Sequence, residues 1–413
     1  MPPAEAPMPM IGVLFWLSAA AAVFGLPFPP GDFAPAKKWL PDTSAPPVFT
    51  DITRRAGGGT CEESARSFRM IDPALRDVVV IGGSAGAGKA LQVVLEGLPP
   101  GFSATVFVTR HLPPQAGLPR NYVGLTCGPL TCVEAEDGIP FRRGHVYFAP
   151  PEHHLLVGRE EILLRRGPRE NGSRPAVDPM FRSAAANHAG RVVGIVLSGY
   201  LDDGTSGLRA VKRCGGLAVV QHPDDADYPD MPGNAIEHTD VDYILPASRI
   251  GPLLCELVRQ PAPQMQPVPP DIRLEAGMSA NAVTTIDNEF RLGQPSEFSC
   301  PDCGGVLWRY DGNNGTRFRC HVGHAYSEHS LADAQSSEVD RALWAAFRAL
   351  REKTRMLHQL ADQARERQQI QAAGRYGSFA DECGEEAERI RSLLGRSRTR
   401  SRPPPSEAAS RTW

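Results

Sequence analysis

The chain has 413 residues, with 44 Lys and Arg against 47 Asp and Glu and a net charge of −3 at pH 7. Two or three domains fit this length at roughly 100–200 residues each, and the near balance of charge argues against nucleic acid or an anionic membrane as the principal partner. Nine cysteines scattered over most of the chain are not the dense framework of a small secreted protein, so a reducing, cytoplasmic setting is expected.

Residues 1–69 open on an apolar stretch, Met10–Phe28 (MIGVLFWLSAAAAVFGLPF), of marginal length for a membrane span. No Lys or Arg precedes it, whereas a secretory leader starts with positive charge. The rest, to residue 69, is rich in Pro, Gly and Ala without periodicity. These residues read as a disordered or non-native extension with no stable membrane insertion, and Met70, just before IDPALRDVVVIGG, reads as the natural start.

From 70 to 258, short β-branched runs alternate with helix-like stretches: DVVVIGG, ATVFVTR, HVYFAP, RVVGIVLSG, LAVVQ and VDYILP. This alternation predicts an α/β fold, a doubly wound and mostly parallel sheet with helices on both faces. HHLLVGR and EILLRRG predict a β-hairpin added to that sheet and turning at Gly158. Residues 259–297, with the proline cluster QPAPQMQPVPP, read as a linker.

A second unit follows. Cys300 and Cys303, then Cys320 and His324, form a C-x2-C and C-x3-H pair that predicts a tetrahedral structural zinc in a small ribbon, residues 298–330. Trp308, Tyr310 and Phe318 are its expected core. His321 is an alternative ligand, and a redox C-x-x-C is the competing reading, one that the second ligand pair argues against. Residues 331–396 form a helical module, with Leu343, Phe347, Leu350, Leu357, Ala361 and Ala364 at three- and four-residue steps along a long amphipathic helix. Its apolar stripe packs either within its own domain or in a dimerising coiled coil. The tail, 397–413, is Arg-, Ser- and Pro-rich and expected to be disordered.

The chemistry turns on IGGSAGAGKA, residues 81–90. Read as a phosphate loop, it lacks the Ser or Thr after its lysine, because Ala90 follows Lys89. Read as Gly82-x-Ser84-x-Gly86, it is a tight strand-to-helix turn presenting a nucleophilic serine, with small flanking residues that the turn demands. A serine needs a base and a carboxylate to orient it, and in a parallel sheet these belong at the C-terminal ends of neighbouring strands. One strand ends at His111 and another at Asp202 and Asp203. An ordinary α/β-hydrolase would instead place its acid before its histidine, with His222 or His238 in the latter role.

Taken together, VVVIGGSAG, VTRHLPP, AEDGIPFRRGHVYFAPPEHHL, RPAVDPMFRSAA, GIVLSGYLDDGTSGLRAVKRCGG and MPGNAI resemble the catalytic domain of the protein-glutamate methylesterases of bacterial chemotaxis, the CheB type. The resemblance covers about 77–258. It implies a serine hydrolase that removes methyl groups from glutamate esters of chemoreceptor-like proteins, deamidates glutamine as a side activity, and needs no cofactor for catalysis. Carried over by position, Ser84 is the nucleophile, His111 the base and Asp203 the orienting acid, with Asp202 the less favoured alternative. Three departures stand out: Gly199-Tyr200-Leu201 replaces the family's glycine-methionine-glycine, Ala85 replaces a threonine, and Ala87 a glycine. The implied partner is a methylated receptor or receptor-like signalling protein, with a further protein partner at the C-terminal helix. The family's phosphorylatable receiver domain has no counterpart in residues 1–69, so a stand-alone branch is expected; the ribbon and helix resemble an extension of some such proteins. The contrasting function is an idle signalling scaffold of the same fold that binds partners through its C-terminal module.

Overall fold

The structure is a computed structural model that describes residues 75–111, 128–264, 266–280, 293–312 and 315–397. The expectations for residues 1–69, the start at Met70 and the tail beyond residue 397 lie outside these residues. Among the described residues, no helix is long and apolar enough to cross a membrane.

The central sheet has seven strands in the order β3-β4-β2-β1-β7-β8-β9. They are β1 (Val78–Gly83), β2 (Thr105–Arg110), β3 (Thr131–Glu134), β4 (His145–Phe148), β7 (Val192–Val196), β8 (Leu217–Gln221) and β9 (Tyr243–Leu245). Every neighbouring pair is parallel. Continuous rather than alternating apolar runs are what such strands require, because helices cover both faces. Alternate residues of β1 then serve opposite cores. Val78 and Val80 join Val177, Met180 and Phe181 from α2 (Val177–His188) and Leu208 from α3 (Thr205–Arg213). Val79 and Ile81 join Leu91 and Val94 from α1 (Ala87–Glu96) and Ile250 and Leu254 from α5 (Ala247–Leu257). The helix α4 (Asp230–His238) adds Met231 and Ala235 to the first core.

The hairpin is present as β5 (His154–Val157) and β6 (Ile162–Arg165), and Gly158 N–H donates to the Glu161 carbonyl at 2.9 Å across its turn. It forms its own two-stranded sheet instead of extending the central one. It packs on α2 through Val157, whose N–H donates to Ser183 Oγ and whose carbonyl accepts from Asn187 Nδ2. Part of the stretch read as linker is the helix α6 (Pro270–Ser279), which starts on a proline and buries Ile272 and Met278. Cys132 on β3 is disulfide-bonded.

The C-terminal unit is an antiparallel sheet, β10 (Gln294–Ser299), β11 (Val306–Gly312), β12 (Gly315–Cys320) and β13 (Ala325–Ser327), followed by α7 (Glu328–Glu366) and α8 (Ile370–Ser397). Ser327 caps α7 in a capping box with Ser330. Helices α7 and α8 pack as a hairpin along the expected stripe, whose buried seam is built largely of small residues: Ala361, Ala364, Ala373, Ala380 and Ala387. The ribbon core consists of Leu307, Phe318, Tyr326 and Leu331 around Cys300 and Cys320. Trp308 lies outside it, and Tyr310 is buried near Glu275 and the arginines of β12.

Candidate active site

The strand order places β1 between β2 and β7, with β2, β4 and β3 built out on one side of it and β7, β8 and β9 on the other. This is the switch point of an open parallel sheet, where a crevice opens beyond the strand C-termini. Ser84 and His111 directly follow β1 and β2, and Asp203 lies at the far end of the loop between β7 and α3.

Ser84 occupies the turn between β1 and α1. Its N–H donates to the Ser198 carbonyl at 2.9 Å, and Ala87 N–H donates to its carbonyl at 3.2 Å, which pins the turn on both sides. Gly86 takes φ 73°, the left-handed conformation that glycine adopts without a Cβ clash. A Cβ on Gly199 would lie 2.8 Å from Ser84 Cβ and 2.1 Å from Met231 Sδ, so only glycine lets the β7 loop approach the serine. His111 follows β2, and its N–H donates to the Gly83 carbonyl at 3.2 Å. Strands pair about 4.8 Å apart, so Ser84 and His111 lead off adjacent strands side by side.

Asp203 is 2 % exposed. Its Oδ2 accepts from His111 Nε2 at 2.7 Å and from Val177 N–H, the first turn of α2, at 2.7 Å. Its Oδ1 accepts from Asn171 Nδ2 at 2.8 Å and Asp178 N–H at 3.2 Å. Burial would raise its pKa, but the His111 hydrogen bond and charge, the Val177 N–H and the Asn171 amide outweigh it, and the carboxyl is held below its ordinary value. An ionised carboxylate only accepts, so Nε2 of His111 carries the proton and Nδ1 is left as the acceptor.

Sequence reasoning missed two residues of this network. Asn171, at φ 50°, reads locally as an Asn-Gly turn, and nothing in the sequence shows that its amide joins two carboxylates. Asp178 sits within RPAVDPMF without an assigned role. Its Oδ1 accepts from Gly204 N–H at 3.1 Å and Gly207 N–H at 2.7 Å, clamping the loop that carries Asp203, and its Oδ2 accepts from Asn171 at 3.0 Å and Arg317 Nη1 at 3.0 Å. Burial, opposed by Arg317 and reinforced by the Asp203 charge, raises its pKa to about 6.

The other candidates lie elsewhere. Asp202 turns away from His111 and accepts from Ser327 Oγ at 2.7 Å. His222 is half exposed and accepts from Asp224 N–H, and His238 lies beside the ring of His329, so neither joins Asp203. Lys89 is exposed on α1. Leu201 adopts φ 62°, a conformation that costs a non-glycine residue about 1 kcal/mol or more.

Cys300, Cys303, Cys320 and His324 come together at the ribbon, their ligand atoms all within 4.8 Å of one another. Cys303 Sγ lies 3.6 Å from Cys320 Sγ, and His324 Nδ1 lies 3.7 Å from Cys300 Sγ and 3.5 Å from Cys320 Sγ. These separations match the edges that a tetrahedral Zn²⁺ with bonds of roughly 2.0–2.3 Å would require, and a sulfur pair this far apart is not a disulfide. Two knuckle turns shape the set, Gly304 N–H to the Cys300 carbonyl at 2.8 Å and Gly323 N–H to the Cys320 carbonyl at 2.9 Å. Burial pushes the Cys320 thiol up to about 12 and the Cys300 thiol up as well. His321 lies outside the set, edge-on to Trp308.

The family model described as CheB methylesterase matches residues 79–254. A protein named putative protein-glutamate methylesterase/protein-glutamine glutaminase, from Leptospira interrogans, is 36% identical over 183 residues, which cover 44% of this chain and 94% of that protein. A protein-glutamate methylesterase/protein-glutamine glutaminase of Thermotoga maritima is 34% identical over 187 residues, 44% of this chain and 54% of that longer protein. The crystal structure of the Thermotoga maritima CheB methylesterase catalytic domain shares 33% identity, covering 44% of this chain and 98% of that chain, with a TM-score of 0.42. A relative matched over nearly its whole length, together with a family model spanning the sheet from β1 to α5, shows that this chain belongs to the CheB methylesterase family.

Proposed function

We propose that this protein is a serine hydrolase of the cytoplasm that removes methyl groups from glutamate side chains of a methylated receptor, with Ser84, His111 and Asp203 as its triad. The observation that carries the reading is the 2.7 Å contact of buried Asp203 with His111, on the strand next to that of Ser84. Ser84 Oγ attacks the ester carbonyl while His111 Nδ1 takes its proton. The N-terminal turn of α1 supplies backbone N–H groups and partial positive charge toward the developing oxyanion. The tetrahedral intermediate collapses as His111 returns the proton to methanol, leaving a glutamyl ester on Ser84. Water then attacks the acyl carbonyl as His111 takes its proton, and His111 returns that proton to Ser84 Oγ as the bond to the serine breaks and the glutamate side chain is released. The same steps on a glutamine side chain release ammonia, which accounts for deamidation. Asp203 holds the imidazole in the tautomer that accepts and stabilises its cation.

Catalysis in this scheme needs no cofactor. The cysteine and histidine cluster fits zinc, which when bound would tie the ribbon strands together as a structural ion.

The test is methanol release from methyl-labelled receptor membranes. The zinc-loaded protein is expected to release it, and Ser84→Ala to lower the rate by at least about 1,000-fold. His238→Ala should keep the wild-type rate. Folded wild-type protein that releases no methanol would contradict the reading in favour of an idle scaffold of the same fold.

A further inference from the structure

The ribbon is joined to the catalytic network by buried charge. Arg317 and Arg319 of β12 are 2% and 4% exposed. Arg317 Nη1 donates to Asp178 at 3.0 Å, and Arg319 Nη2 donates to Glu170 at 3.1 Å. Arg182 of α2 also donates to both oxygens of Glu170, at 2.9 and 2.7 Å, and lies 3.3 Å from Glu275. Three guanidinium groups thus face three carboxylates, with Asp203 beside them. Two of the three cations come from the ribbon. Without them, Asp178 and Glu170 would be buried carboxylates short of partners, which is strongly unfavourable.

A second link runs through backbone. Asn171 N–H donates to the Ala325 carbonyl at 2.7 Å, and Ala325 N–H donates to the Arg169 carbonyl at 3.2 Å, so β13 docks as a short parallel bridge on residues 169–171. Asn171 Oδ1 accepts from Ser327 N–H at 3.1 Å and Ser330 Oγ at 3.0 Å. These two donors fix the amide so that its NH2 group faces Asp178 and Asp203. Ala325 directly follows the ligand His324, so β13 is tied to the metal cluster at one end and to Asn171 at the other.

We propose that the C-terminal ribbon is a working part of the active site: Arg317, β13 and the α7 cap hold Asp178 and Asn171, these position Asp203, and the reactivity of Ser84 depends on a metal-loaded ribbon. The proposal rests on the triad reading above. Asn171, Asp178 and Arg317 are positioning residues, because they reach the reacting atoms only through Asp203.

The experiment compares the phosphonylation rate of Ser84 by a fluorophosphonate in the full chain and in variants, together with the low-field proton resonance of the His111–Asp203 hydrogen bond and the thermal midpoint. Asn171→Gly keeps the left-handed backbone and removes no charge, and it should slow labelling about 10- to 100-fold and weaken the resonance while the protein stays folded. Arg317→Gln should do the same, with Arg317→Lys restoring the rate to within about threefold because it keeps a cation on Asp178. Stripping the metal with a chelator should slow labelling and broaden the resonance, and added Zn²⁺ should restore both. Wild-type labelling and an intact resonance in both Asn171→Gly and the stripped protein would overturn the coupling and leave the triad standing. A folded wild-type protein not labelled at Ser84 would overturn the triad and the coupling with it.

Discussion

Asp203 is held by neighbours from three separate parts of the chain: His111 after β2, Asn171, and the first turn of α2 at Val177 and Asp178. The motif GYLDDGTSG makes either of its two aspartates legible as an acid, and only the fold separates them. Asp203 turns to His111, whereas Asp202 turns to Ser327. Ser84 and His111 could be read in the sequence because each ends an apolar run beside small or restrictive residues. Asn171 could not, since an amide in an Asn-Gly turn carries no local mark of the carboxylates that it will meet. The close fit of Gly199 against Ser84 gives a prediction at this scale. Gly199→Ala places a methyl group against Met231 Sδ and 2.8 Å from Ser84 Cβ, so it crowds the serine on a turn that the Ser198 carbonyl holds close. Phosphonylation of Ser84 should fall about 10- to 100-fold while the far-UV circular dichroism is unchanged; an unchanged rate would show that Met231 alone absorbs the methyl group.

Among the elements, long buried strands were the most legible, since continuous valine and isoleucine runs have few other uses. The four-residue β3, TCVE, has no such run and is partly exposed, which is why it was not foreseen. The hairpin was legible as a hairpin but not in its placement, because pairing with another sheet depends on α2, to which it is anchored. Similarly, α6 hides among prolines and takes its hold from Ile272, Met278 and an ion pair of Asp271 with Arg213 at 2.6 Å. β12 alternates in a way that the zinc spacing alone does not disclose: Phe318 and Cys320 face the ribbon core, and Arg317 and Arg319 face the catalytic domain. Cys320→Ser should therefore lose the single zinc equivalent that the full chain is expected to carry, as measured by inductively coupled plasma mass spectrometry. It should also lower the thermal midpoint of the catalytic domain, not of the ribbon alone. Full zinc content in that variant would remove Cys320 from the ligand set.

For the molecule as a whole, the buried charges between ribbon and catalytic domain make stability depend on pH in a defined direction. Burial pushes the Glu170 carboxyl up, but Arg182, Arg319 and Arg317 outweigh it and hold the group well below its ordinary value. A carboxyl depressed in the fold contributes stability that is complete above its unfolded value of about 4.3 and is lost as pH falls below it. The gap in thermal midpoint between wild type and Glu170→Gln should therefore be largest above pH 5 and shrink steadily toward pH 3. A gap that does not change with pH would show that Glu170 is not held as the ionised partner of these arginines.

Attack of Ser84 on the glutamyl ester, with His111 and Asp203 behind it, would leave a covalent intermediate that can be trapped. The most direct measurement is an acid quench during turnover of a methylated receptor peptide, followed by peptide mapping of the enzyme by mass spectrometry. A glutamyl ester is expected on the fragment containing Ser84, absent in Ser84→Ala and in unreacted protein. Methanol released without that adduct under conditions where hydrolysis is slowed, or an adduct on another residue, would contradict it.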